Sequence, residues 1–176
     1  NSGTTAVTVS ATLTGRHTRR IRVDQGSQMS ASKSIRPGTP GTIQFGSATM
    51  GVFDRAQTTV YWFTDDCNMW LRGLLPSSTG PMNTLSGMNP RVNLASSCNA
   101  YYTNFTINFY NQSSTCNMTA YETVVQHEWG HGADHAFGGL TQTDGLSEGW
   151  GDTLCTYRSA QPIVGPKFRK NGTSIR

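Results

Sequence analysis

The chain has 176 residues, of which only 14% are charged, and a formal net charge of +4 at pH 7. That length suffices for one domain with a real core, and no apolar run approaches the roughly 20 residues that a membrane span needs. The basic surplus comes mainly from arginine, with Arg16, Arg19, Arg20 and Arg22 clustered around His17. No aromatic platform or recognition motif accompanies that cluster, so nucleic acid is not an expected partner.

In chain order, residues 5–25 alternate. Val7, Val9, Ala11 and Leu13 share one parity among Thr and Ser, the pattern of a strand with one buried face. Arg20-Ile21-Arg22-Val23 repeats the alternation. Residues 26–41 are polar and carry Pro37-Gly38-Thr39-Pro40-Gly41, which predicts turns or a loop. Thr42 to Phe45 reads as a short strand. Asp54 is placed to cap a helix running to about Arg72, with Val60, Phe63, Cys67, Trp70 and Leu71 at core-facing spacing. Leu75 to Pro90 is rich in Gly, Pro and Ser and predicts a loop. Residues 99–110 read as strands. Thr119 or a neighbour caps the next helix, with Glu122 in capping-box position, and that helix ends near Gly138. A last helix spans roughly Gly145 to Arg158. Nothing repeats internally and no linker divides the chain. Residues 1–176 are therefore expected to form a single α+β domain or fragment, β-rich over 1–50 and motif-bearing over 54–160.

Abundant Ser, Thr, Asn and Gly fit a secreted protein. Four cysteines suggest two disulfides in an oxidising compartment and allow three pairings. The favoured pairing is Cys98–Cys116, around the 99–110 strands, with Cys67–Cys155 tying two helices. Sequons at Asn104, Asn111, Asn117 and Asn171 demand surface positions if used. A start at Asn1 rather than Met is what a mature form trimmed of a signal or pro-segment would have.

The chemistry concentrates in His127-Glu128-Trp129-Gly130-His131. Residues i and i+4 share a helix face, so two neutral imidazoles can meet one metal ion. Glu128 then projects beside the metal as a general base rather than a ligand. Catalytic zinc takes a third protein ligand and leaves a fourth position open. His135 lies about 12 Å along the axis from His127 on a straight helix, too far to share that ion. A glycine-broken helix with a later His would need Gly and His where Asp134 and Phe137 stand. Glu148, in Ser147-Glu148-Gly149-Trp150-Gly151-Asp152, leaves room for a loop and a second helix after His131. Asp152 follows at i+4, where it can orient a ligating His. Asp144 remains an alternative third ligand, which would make an aspzincin-like site.

HEWGHG followed by SEGWGD resembles the gluzincin peptidases, the thermolysin-like and fungalysin-like families in particular. Asn99-Ala100-Tyr101-Tyr102, upstream of the motif, is similar to the edge strand by which those enzymes hold substrate backbone. Asp54 to Leu75 looks like their long preceding helix. The resemblance covers roughly residues 50–160. It implies a zincin-like catalytic domain with an antiparallel-edged sheet packed on the zinc-site helices. It implies Zn2+ held by His127, His131 and Glu148, Glu128 as base, Asp152 behind the ligands, and a peptide or protein substrate on Asn99 and Ala100. The chain departs from the pattern in two respects. It has no Tyr between His131 and Glu148 and stops at Arg176, before a helical C-terminal lobe. Tyr157, Arg158, His135, Tyr110 and His17 are available as oxyanion donors, but none matches the family position. The expectation is a longer enzyme, or a complementing C-terminal fragment or chain. The non-catalytic alternative is a binding module with a structural zinc, although such sites are usually closed by Cys or His and no CxxC pair occurs here.

Overall fold

The structure, a computed structural model, describes residues 5–140 and 145–176. In chain order it contains β1 (Val7–Thr12), β2 (Arg22–Val23), β3 (Ser30–Ile35), α1 (Val52–Leu74), α2 (Thr79–Ser86), β4 (Asn89–Leu94), β5 (Ala100–Thr103), β6 (Thr106–Tyr110), α3 (Glu122–Ala136) and α4 (Leu146–Ser159). This is an α+β architecture. The main sheet has order β2-β4-β6-β5; β2, β4 and β6 are parallel and β5 is an antiparallel edge. β1 and β3 form a separate antiparallel ribbon, Val7 opposite Ile35 through Thr12 opposite Ser30.

α1 forms because Ala56, Val60, Cys67 and Leu71 recur at three- and four-residue spacing and bury one stripe. Asp54 lies in its first turn and Arg72 in its last, each favourable toward the helix dipole. The core joins that stripe to Val92 of β4, Ile107 and Phe109 of β6, and Val124, Val125 and Trp129 of α3. α3 therefore lies pressed between sheet, α1 and α4, which is what makes its polar motif a buried one.

Several expectations are corrected. α1 begins after Gly51, not at an Asp54 cap. α3 begins after Tyr121; the Thr119 hydroxyl donates to Tyr110 O instead of capping. Val7 and Val9 are 59% and 41% exposed, so the alternating face of β1 is not core, and only Leu13 beyond it is buried. The ribbon is held by backbone pairing rather than by a covered face. For the same reason β3, Ser-Ala-Ser-Lys-Ser-Ile, forms where a loop was predicted, while residues 42–45 are not a strand. α2 also falls in a predicted loop. Pro81 stands in its first turn, where a missing N–H costs little, and Met82 and Leu85 bury the inner side.

Cys98 and Cys116 are bonded and bracket β5 and β6. Cys67 and Cys155 are buried free thiols, so the second expected disulfide is absent. α1 and α4 are joined instead by Arg158 on Asp66 at 2.6 Å and by Trp70 near Tyr157. Of the sequon asparagines, Asn104 and Asn171 are exposed. Asn111 donates to Gln25 and Asn117 to Lys167 O.

Candidate metal centre

Two helices build the centre, and glycines let them approach. A Cβ on Gly130 of α3 would lie 3.3 Å from Gly151 Cα of α4. Trp150 Nε1 donates to Gly130 O at 2.9 Å, and Trp129 is fully buried on the core side. Trp150 thus ties α4 to α3, while Trp129 packs α3 into the core.

This approach brings His127, His131 and Glu148 together. The two Nε2 atoms are 3.1 Å apart, and each lies 3.4 Å from a Glu148 carboxylate oxygen. Zinc at about 2.0–2.1 Å from tetrahedral ligands places those ligands about 3.3 Å from one another. The triangle has that size, and its donor set is one that zinc accepts. His131 Nδ1 is 3.0 Å from the buried Ser147 Oγ. His127 Nδ1 is 3.0 Å from Asp152 Oδ1, although the oxygen lies off the ring N–H direction and neither atom completes a hydrogen bond. In the tautomers that carry their protons on Nδ1, beside Ser147 Oγ and Asp152 Oδ1, both Nε2 atoms present lone pairs to each other. A cation between them removes that repulsion. Burial lowers both pKa values and favours the neutral rings; at His127 the charge of His131 lowers it further, against the opposing pull of Glu148 and Asp152. The cluster can therefore coordinate a metal ion.

Glu128 adjoins the cluster and is only 6% exposed. Burial, and then the charge of Glu148, push its carboxyl up to about 8. Arg176 and the backbone of Tyr102 pull the other way. Glu148 is the outward member, its side chain 56% exposed. Its partial burial acts to raise its pKa, but the hydrogen bond from Arg176 and the two histidines hold it below the usual carboxylate range.

The cluster lies in a cavity of about 320 Å³. Asn99, Ala100 and the two tyrosines of β5 form one wall; Val164, Phe168, Ile175 and Arg176 form the other. Among the described residues β5 pairs only with β6, and its residues border the cleft. The opposite wall is pinned by Val164 N–H to Arg176 O at 2.8 Å and Gly165 N–H to Thr123 Oγ1 at 2.9 Å. Arg176 Nη2 is 2.8 Å from Glu148 Oε2, and its Nε is 2.5 Å from Asp152 Oδ2.

Arg176 is the residue that sequence reasoning missed. No periodic element connects it to the motifs, and only its charge marked it. The five donors named in advance lie elsewhere. Tyr157 is 76% exposed beside Trp70, Arg158 pairs with Asp66, Tyr110 packs on Tyr101, and His17 meets Ser86. His135 contacts Tyr102. Asp144, the alternative third ligand, lies outside the described residues.

No family model matches the chain, and no curated protein matches it in sequence. Its fold is similar to that of a solved structure, the precursor of protealysin, a metalloproteinase from Serratia proteamaculans. The TM-score is 0.59 at 16% identity, over 85% of this chain and 48% of that one. The chain thus spans about half the length of that match, and the likeness is one of fold. Fold and site together define an α+β domain, similar in fold to that structure, with a His–His–Glu cluster suited to a metal ion. Among the described residues, no helix is long and apolar enough to cross a membrane.

Proposed function

We propose that the chain is a secreted zinc endopeptidase, or its catalytic half, acting on peptide or protein substrates. The observation that carries this reading is the zinc-sized triangle of His127, His131 and Glu148 beside a buried carboxyl, Glu128, in an open cleft. A structural site would be closed; here the outward ligand is exposed and a strand edge adjoins it.

Bound zinc would supply a polarised carbonyl and a water of lowered pKa. The chain's own residues do the rest. Asp152 and Ser147 orient the His127 and His131 rings. Asn99, Ala100 and the free edge of β5 receive an extended substrate backbone by strand addition. Glu128, poised near neutral pH by burial, takes a proton from water and passes it to the departing amine. Arg176 is the cation lining the cleft, and so the charged donor available to a developing oxyanion. A complementing lobe, from a longer form of the chain or a second chain, would cover the exposed side of Glu148. The Cys98–Cys116 bond suits an extracellular setting.

The test combines metal analysis with hydrolysis of a quenched peptide library. Glu128→Gln should keep one zinc per chain and lose at least about 100-fold in turnover. Glu148→Ala should lose zinc. Undiminished hydrolysis by Glu128→Gln would remove the role assigned to that residue, and full zinc affinity in Glu148→Ala would remove the third ligand.

A further inference from the structure

His135 stands one helical turn beyond His131, outside the cleft lining. It nevertheless connects the β5 wall of the cleft to α3, which carries His127 and His131. The Tyr102 side chain crosses from β5 to α3, passing Gly132, where an added Cβ would lie 3.3 Å from Tyr102 Cε2. Its ring centroid is 6.3 Å from that of His131. Its hydroxyl accepts the Phe105 backbone N–H at 3.0 Å and lies 2.7 Å from His135 Nδ1. The Tyr102 hydroxyl accepts the backbone N–H and keeps its own proton to donate. In the His135 tautomer that carries its proton on Nε2, Nδ1 accepts that proton. His135 in turn stacks on Phe105, with centroids 4.5 Å apart and planes 19° apart. Phe105 and Asn104 form the β5–β6 turn at φ +56° and +40°.

Tyr102, Phe105 and His135 thus form one closed set of contacts. It joins the end of β5 and its turn to α3. The opposite edge of β5 has no strand partner among the described residues, and the Tyr102 backbone itself approaches Glu128. β5 is also held by its ladder to β6 and by the Cys98–Cys116 bond; the Tyr102–His135 contact links its side chain directly to α3.

We propose that His135 is a positioning residue: through Tyr102 it holds the β5 edge at the height above the metal cluster that a substrate backbone requires. The substrate role rests on the peptidase reading; the brace itself does not. His135→Leu and Tyr102→Phe each remove one partner of that hydrogen bond, and His135→Asn restores a hydrogen-bonding group near the Nδ1 position. Two readouts are needed: hydrogen exchange at the amides of residues 100–105 in metal-free protein, and KM and kcat with zinc bound.

The expected result for His135→Leu is exchange faster by about 3- to 10-fold, the worth of one net hydrogen bond. KM should rise by a similar factor, with zinc content unchanged. Tyr102→Phe should match it, the double variant should be no worse than either, and His135→Asn should recover most of the loss. Unchanged exchange in His135→Leu overturns the brace, as do additive losses in the double variant. Faster exchange with wild-type KM and kcat overturns the positioning role. Faster exchange in a protein that hydrolyses no peptide overturns the peptidase reading while leaving the brace in place.

Discussion

Gly151 lies directly against the imidazole of His127: a Cβ there would sit 2.7 Å from both Nδ1 and Cε1. Glycine inside a helix costs roughly 1 kcal/mol relative to alanine, and here the space it leaves is filled by a metal-ligand candidate. Gly151→Ala should push the ring aside and weaken zinc binding by about 10- to 100-fold, the range typical of lost support behind a ligand. Gly149, two residues earlier, has no atom within 4 Å of its added Cβ. Gly149→Ala should stabilise the protein by up to about 1 kcal/mol. Zinc titration against a chelator and thermal melts separate the two. Equal zinc affinity in Gly151→Ala and the native protein would contradict the close packing.

Ser147 is buried and meets His131 Nδ1. Ser147→Ala should loosen that ring and weaken zinc binding by about 10-fold, with little change in metal-free melting temperature. A large fall in metal-free stability with unchanged zinc affinity would assign Ser147 to the core instead.

Metal-free protein should show a pH signature. The Glu128 carboxyl, at about 8 when folded, lies above its unfolded value near 4.5. Its contribution is fully present below the unfolded pKa and is lost as pH rises through 8. His127 and His131 are depressed below 6.5, so their contribution is present above 6.5 and lost as pH falls. Between about pH 6.5 and 8 the Glu128 effect remains, worth on the order of 2 kcal/mol. Denaturant melts should show stability falling across that window, and Glu128→Gln should flatten the slope. The same slope in both proteins would place the titrating group elsewhere.

Thiol counting tests the disulfide correction. Burial pushes the Cys67 thiol far up and Cys155 up to about 12. Both should resist alkylation in native protein at pH 8, because thiolate is the reactive form. Unfolding without reductant should expose two thiols per chain, and reductant should raise the count to four. No alkylation without reductant would reinstate a Cys67–Cys155 bond.

The centre was legible because its residues follow local rules. His127 and His131 are one turn apart on α3, Glu148 and Asp152 one turn apart on α4, and both spacings survive folding unchanged. The β5 strand was legible instead through the likeness of Asn99-Ala100-Tyr101-Tyr102 to a known edge strand. What escaped depended on contacts between distant segments. Arg176 reaches Glu148 and Asp152 from a stretch with no periodicity. The Tyr102–His135 pair joins strand to helix across thirty-three positions. β1 and β3 carry no buried stripe to announce their pairing, and α2 hides behind Gly80 and Pro81. Hydrophobic period predicts elements that bury a face, and these do not.

The Cys98–Cys116 bond encloses the whole β5–β6 hairpin, including the strand that borders the cleft. An extended strand with a free edge is also the shape that endopeptidases accept as food. On the proposed endopeptidase reading, copies that meet at high concentration therefore expose a cleavable segment to one another. A nick anywhere between those two cysteines leaves both fragments covalently attached, so a damaged rim stays tethered to the protein.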